Sequence, residues 1–295
     1  MTVSSDNVDF GGFAPGVVDR TVIALTSRLP NAWIGLRLAI LLRRITTMRL
    51  DYPEGALDVV RWGMRLRLHP LDNGCEKNLL FTPQMYEAAE LAVLSEAISA
   101  AKAQGRRFSF IDIGANVGLF SFFVAAAAGA DARILAIEPE PGNFSRLVFN
   151  IRCNPGVPIH AIPIALSDEA GELIVARPGR DRGGAFTRKE PDASPGSADH
   201  RVEARTLHQL AQQEGIDRID AIKIDVEGSE DQILMPFFRD APPSLWPLLL
   251  LIEDARDKKS NDILSFLAKS GYATVAHSKL NVMLRLQNKP EPRSS

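Results

Sequence analysis

The chain of 295 residues carries 34 Lys and Arg against 36 Asp and Glu, a formal net charge of −2, and 45% of it is hydrophobic. That length and mix suit one α/β domain with an appendage; they exclude wholesale disorder and argue against a dedicated nucleic-acid binder, which would carry a basic excess. Cys75 and Cys153 make neither a disulfide framework nor a metal-ligand spacing, so a reducing cytoplasm is the expected compartment.

Taken in chain order, residues 1–19 are rich in Gly, Ser and Asp and are expected to be flexible, and they lack the pattern of a signal peptide. From Arg20 to Arg49 there are six arginines and no acidic residue, interleaved with Trp33, Ile34, Leu36, Leu38 and Leu41. This reads as one or two helices broken near Leu29-Pro30-Asn31. The stretch suits packing on its own domain, a homo-oligomer contact, or peripheral contact with a membrane surface or acidic partner. Residues 56–70 alternate with period two around Arg65, Leu66, Arg67 and Leu68, which predicts a hairpin turning at Gly63. Residues 83–104 have helical spacing, with Thr82 as N-cap and Pro83 as first helical residue.

From residue 107 onward, short β-rich runs alternate with helix-length segments. Strands are predicted at 108–113, 133–137, 159–165, 221–225, 248–253, 272–276 and 282–286. Helices fit at 119–128, 142–150, 207–213, 229–238 and 261–269. Such alternation implies crossover connections and a mostly parallel sheet. The last two strands are joined by too short a link for a crossover, so they are expected to be antiparallel. The stretch from Arg177 to His200 is rich in Gly, Pro and charge and reads as a mobile loop of the kind that covers active sites. No run qualifies as a transmembrane span.

Asp112-Ile113-Gly114-Ala115-Asn116-Val117-Gly118 follows a buried strand and opens an apolar helix. Glycine permits a sharp turn and close approach of a ligand, and a helix N-terminus presents N–H groups. The glycines stand at i and i+4, unlike the dinucleotide fingerprint, which weakens the case for a nicotinamide or flavin cofactor. Asp112 suits a ligand carrying an amine and a positive charge. Glu138 ends the second strand 20 residues after Gly118, a placement suited to binding both hydroxyls of a ribose. Ser167 and Asp168 follow the third strand, where they could meet the base of a nucleoside or simply form a turn. Asp225, Glu227 and Glu230 crowd the end of the fourth strand beside Lys223. Like charges this close call for a sulfonium, an amine, a substrate proton or a divalent metal. Asp225, Glu227 and Glu253 could supply oxygen ligands, yet no spacing demands a metal.

Together FTPQMYE, FIDIGANVGLFS, AIEPEPGNFSRLVFNIRCN, ALSDEAGEL, IDAIKIDVEGSEDQIL and PLLLLIE resemble the FkbM family of S-adenosylmethionine-dependent methyltransferases, over about residues 80–255. The chain departs from the family pattern at His208, where an Asp normally follows Thr-Leu. The resemblance implies a Rossmann-like, seven-strand, mostly parallel sheet of the class I methyltransferase type, its last strand antiparallel. Residues 81–288 would form this domain, residues 20–80 an N-terminal helical and β-hairpin appendage, and 289–295 a flexible tail. It implies S-adenosyl-L-methionine as cofactor and O-methylation of a hydroxyl on a sugar, glycan or other small metabolite. By the resemblance Asp112 and Gly114 would contact the cofactor's amino-acid part, Glu138 its ribose, and Asp225 would sit near the reacting sulfonium; Ala115, Asn116, Gly118, Ser167 and Asp168 complete the expected cofactor-binding set. Asp225 or Glu227 would act as base or orient the acceptor, with His200 and His208 as remoter candidates. N-methylation on the same fold, nicotinamide-dependent hydride transfer and a non-catalytic scaffold are the alternatives.

Overall fold

The structure is a computed structural model that describes residues 8–50, 55–176, 186–188, 200–226, 228–253 and 258–287. Residues 1–7, the tail expected at 289–295, most of the stretch from Arg177 to His200, and Glu227 lie outside the described residues.

Two helices, α1 (Val17–Thr26) and α2 (Trp33–Thr47), flank the break at Pro30 and pack on each other. The hairpin of β1 (Leu57–Arg61) and β2 (Met64–Leu68) turns through Trp62 and Gly63, both at positive φ. That is the backbone hand that matches strand twist in a two-residue turn. Helix α3 (Gly74–Phe81) was not expected from the sequence. Asn73 caps it, accepting from the N–H groups of Cys75 and Glu76. Thr82 is therefore not the N-cap of the next helix. It closes α3, with its hydroxyl donating to the Asn78 carbonyl, and α4 (Ala88–Ala103) starts six residues later. Between them Glu87 sits in the left-handed region at φ 43°, which breaks what periodicity alone joined.

The crossover region runs β3 (Ser109–Ile113), α5 (Leu119–Ala128), β4 (Arg133–Ile137), α6 (Pro141–Arg152) and β5 (Ile159–Ile162). Then come β6 (Ala165–Leu166), β7 (Gly171–Ala176), β8 (Phe186–Arg188), β9 (His200–Arg205) and α7 (Leu207–Gln213). The chain continues through β10 (Ala221–Ile224), α8 (Glu230–Asp240), β11 (Leu249–Glu253), α9 (Lys258–Lys269), β12 (Tyr272–His277) and β13 (Asn281–Leu286). Among the described residues seven strands form one sheet in the order β12-β13-β11-β10-β3-β4-β5. The run from β11 to β5 is parallel, and β13 lies antiparallel between β11 and β12. This is the mixed α/β, Rossmann-like sheet expected.

A second sheet, β6-β9-β7-β8, corrects two expectations. Residues 159–165 are not one strand. Pro163 has no N–H to continue the ladder, and Ala165–Leu166 leaves to pair with β9. Within the stretch read as one loop, Phe186–Arg188 pairs with β7, and His200 already belongs to β9.

Alternate residues of the large sheet feed two cores, as the period of two requires. Phe110, Ile134 and Ala136 join Phe122 and Val124 of α5, Leu94 of α4, Leu80 of α3 and Leu66 and Leu68 of the hairpin. Ile111, Ile113, Leu135 and Ile222 face Leu210 of α7 and Phe237 and Phe238 of α8 on the other side. On the hairpin's other face, opposite Leu66 and Leu68, Arg67 is fully buried. Its guanidinium pairs with Asp58 at 2.7 Å, stacks on Phe149 at 4.1 Å and donates to the carbonyls of Val8 and Asp9. A buried charge of this kind persists only when every donor is used.

Candidate active site

Strand order reverses between β3 and β10, and in open α/β sheets this is where a crevice opens at the strands' carboxyl ends. A cavity of about 420 Å³ lies there, within the usual range for small-molecule sites. Gly114, Ala115 and Asn116 line it after β3, Glu138 and Pro139 after β4, Lys223 from β10 with Asp225 and Val226 after it, and Glu253 ends β11 on its wall.

The glycine turn owes its shape to backbone geometry. Gly114 and Gly118 have φ of 70° and 85°, and Asn116 also lies in the left-handed region at 54°. A Cβ on Gly114 would collide with the Asp225 carbonyl, so only glycine lets β3 and β10 close at this point. Gly118 faces Leu147 and Phe122 rather than the cavity. The turn's N–H groups, expected to be offered to a ligand, are largely used within the protein. Gly114 and Ala115 donate to the Ile137 carbonyl, Asn116 to Glu138 Oε2 at 2.7 Å, and Gly118 to the Ala115 carbonyl.

Glu138 is buried at the cavity wall, and its Oε1 also accepts from the Glu140 N–H at 2.9 Å. Burial pushes its pKa up to about 7, although the two backbone donors pull it down. Each oxygen keeps a further lone pair, so the carboxylate can still accept hydroxyl donors.

Asp112 is not on the wall but beneath it, fully buried. Its Oδ2 accepts from the N–H and hydroxyl of Ser121 in the first turn of α5, and its Oδ1, 3.8 Å from Lys223 Nζ, has no hydrogen-bond partner. Burial raises its pKa. Lys223 Nζ donates to the Gly114 carbonyl at 2.9 Å and lies 3.3 Å from Asp225 Oδ2. Burial works against its charge, but Asp225 and Asp112 outweigh burial and raise its pKa.

Ile164, Ala165, Leu166, Val175 and Thr187 close one side of the cavity, mostly from the small sheet. Ser167 and Asp168 follow that wall without lining it; Ser167 is buried and donates to Asp168 at 2.9 Å. His200 and His208 do not line the cavity. Among the described residues no group of three or more His, Cys, Asp or Glu is placed to hold a metal.

Several lining residues escaped the sequence reading. Gly74, Cys75 and Asn78 come from α3, Tyr86 and Glu87 from just before α4, Glu90 from its first turn, and Asn281 from β13. Asn281 Nδ2 donates to Glu87 at 3.3 Å and to Glu90 at 2.9 Å. Burial and the adjacent Glu90 carboxylate push Glu87 up, to about 7. Asn73 ties α3 to the glycine turn, donating to Asn116 Oδ1 at 2.8 Å. The nearest sequence signal was the Tyr86-Glu87 pair before α4, whose partner Asn281 lies 194 residues further on.

Residues 112–273, more than half of the chain and holding both motifs that meet at this cavity, match the methyltransferase FkbM domain. The chain belongs to that family. The match runs from the end of β3 through the small sheet to the start of β12. Two curated relatives are 28% identical to the chain. The methyltransferase sdnD of Sordaria araneosa aligns over 151 residues, 42% of this chain and 58% of that protein. The AMB antimetabolite synthetase AmbE of Pseudomonas aeruginosa aligns over 179 residues, 50% of this chain and 8% of that protein. The chain thus spans less than two thirds of either relative. An O-methyltransferase from Bacillus cereus, solved in complex with SAH, is 13% identical with a TM-score of 0.39, covering 72% of this chain and 90% of that one.

Proposed function

We propose that this FkbM chain is an S-adenosylmethionine-dependent methyltransferase acting on a hydroxyl of a sugar, glycan or other small metabolite. The observation that supports it most is the placement of two carboxylates at one cavity, Glu138 after β4 and Asp225 after β10, with the Gly114 turn between them. The chemistry of these donors fits the cofactor. Glu138 keeps acceptor capacity for a ribose diol, and Ile164, Ala165 and Leu166 offer an apolar wall for a base. S-Adenosylmethionine would supply an already activated methyl group on a sulfonium.

The residues assigned to hold it are Glu138 for the ribose and Gly114, Ala115 and Asn116 for the amino-acid part; Ser167 and Asp168 support the wall assigned to the base from behind, without lining the cavity. Asp112 and Gly118 act indirectly. Asp112 holds the first turn of α5 and shares Lys223, and Gly118 sets the turn. An acceptor hydroxyl must lose its proton as it attacks, and a positioned base contributes about 10²–10⁴-fold. Asp225 is assigned that role or the orientation of the hydroxyl, with Glu227 beside it in the sequence. Glu87, with its pKa near neutrality, is a further acceptor for that proton. Aligning two bound reactants supplies a further 7–11 kcal/mol, roughly, of the barrier.

Glu87, Glu90, Asp225 and Glu253 on the same cavity favour one second reading, an amine acceptor, whose cation these carboxylates would attract. The glycine spacing and the family both tell against the nicotinamide alternative. Calorimetry with S-adenosylhomocysteine and with NADH tests the cofactor. Incubation with methyl-labelled cofactor and a pool of small metabolites and glycans, followed by NMR of the labelled product, separates an O-methyl from an N-methyl group. Binding of NADH but not of S-adenosylhomocysteine would overturn the proposal.

A further inference from the structure

Helix α2 leaves most of its large apolar side chains outside. Its buried residues, Gly35, Ala39 and Thr46, are small or polar, and the half-buried Leu42 on the same face packs against the core. Ile34, Leu38, Leu41 and Ile45, spaced at i, i+4, i+7 and i+11, form one continuous stripe that is exposed, Leu41 by 61%. A soluble helix normally turns such a stripe inward. Met48, 85% exposed, and Trp33, 67% exposed, extend the apolar surface at the two ends of the helix. On α1, Val18 and Leu25 are also exposed.

Charge decides what this face suits. Arg37 and Arg44, seven residues apart, run along one edge of the stripe, and both are exposed. No acidic residue occurs between Arg20 and Arg49, although the whole chain is slightly acidic. A second copy docked on the stripe would set arginines against arginines. We infer that α1 and α2 form a membrane-surface element, with the α2 stripe lying among the acyl chains and the arginines on the headgroups of an anionic phospholipid leaflet. An apolar stripe edged with arginine, with an aromatic residue at one end, is the composition of interfacial helices. At 15 residues α2 is about 22 Å long, too short to cross a bilayer, and no helix among the described residues is long and apolar enough to do so. The element would bring the cavity to acceptors at a lipid surface.

The test is co-sedimentation of the full chain with vesicles of phosphatidylcholine alone or of equal parts phosphatidylcholine and phosphatidylglycerol. Wild type is expected to sediment with the anionic vesicles and at least about tenfold less with the neutral ones. The double variants Leu41→Ser with Ile45→Ser, and Arg37→Glu with Arg44→Glu, are each expected to lose at least about tenfold. All four side chains are exposed, so the melting temperature and S-adenosylhomocysteine affinity should stay at the wild-type values. Absence of sedimentation, equal binding to both vesicles, or unchanged binding by both variants overturns the inference. If the chain does not sediment and is instead a dimer that Leu41→Ser with Ile45→Ser splits, the occupant is a second copy.

Discussion

Lys223 reaches across the switch point and donates to the carbonyl of Gly114 at 2.9 Å, while its charge is shared between Asp225 at 3.3 Å and Asp112 at 3.8 Å. Two motifs more than a hundred residues apart are thereby fastened at one buried cation. Its ammonium carries three donors, and these three oxygens surround it. The turn that borders the cavity and the strand end that carries the proposed base are consequently tied to one side chain.

Replacing Gly114 with Ala should damage both. The new Cβ would strike the Asp225 carbonyl, and φ 70° is strained for any residue with a side chain. We expect a loss of at least about 2 kcal/mol in urea unfolding and loss of S-adenosylhomocysteine binding. Gly63→Ala has open space around its Cβ at φ 80°, so it provides the control for strain without collision. Equal effects at the two sites would show that the collision does not matter.

Glu138→Ala should weaken S-adenosylhomocysteine by more than about tenfold in calorimetry, since each lost charge-assisted hydrogen bond is worth roughly 1.5–3 kcal/mol. An unchanged dissociation constant would remove Glu138 from the ribose. The raised pKa of Glu138 adds a pH dependence. Hydroxyl donors favour the ionised carboxylate, so affinity should fall as pH drops below about 7, by up to about tenfold per unit. The slope should vanish in Glu138→Gln.

Stability of the unliganded protein should move the other way. Glu76, Glu87 and Glu138 all have folded pKa values raised to about 7 from ordinary values near 4.5, each chiefly by burial. Groups raised on folding contribute stability that is present below the unfolded pKa and lost as pH rises through the folded one. Melting temperature should therefore decline between about pH 5 and 7.5. A melting temperature that climbs over that window would contradict these buried acids.

Asp225→Ala should leave cofactor binding measurable while methyl transfer falls about 10²–10⁴-fold. Its side chain is 43% exposed and touches Lys223, so folding should persist. Transfer at the wild-type rate would exclude Asp225 as base, and Glu87→Gln would then be the variant to examine.

Arg67→Ala should cost roughly 3–5 kcal/mol in equilibrium unfolding, because it leaves Asp58 buried without its partner. Arg65→Ala, one pleat away and facing outward, should cost under about 1 kcal/mol. Similar losses for both would mean that the hairpin is not fastened through the buried pair.

Most of the large sheet was legible in the amino-acid order. Each of its strands is a short apolar run bounded by a turn, and a strand buried on both faces needs little else. The hairpin turn at Gly63, the Gly114 turn and the Glu138 strand end could be recognised for the same reason: each depends on neighbours in the chain. Tertiary structure alone decided the rest. Thr82 has the chemistry of an N-cap, yet it closes α3, because the turn that follows is bent at Glu87. Asp112 looked like a ligand contact, yet packing against α5 sets it below the cavity floor. The outward direction of the α2 stripe was equally invisible, because hydropathy has a period but no sign. The buried Gly35, Ala39 and Thr46, with Leu42 packed against the core, determine which face is left for water or lipid.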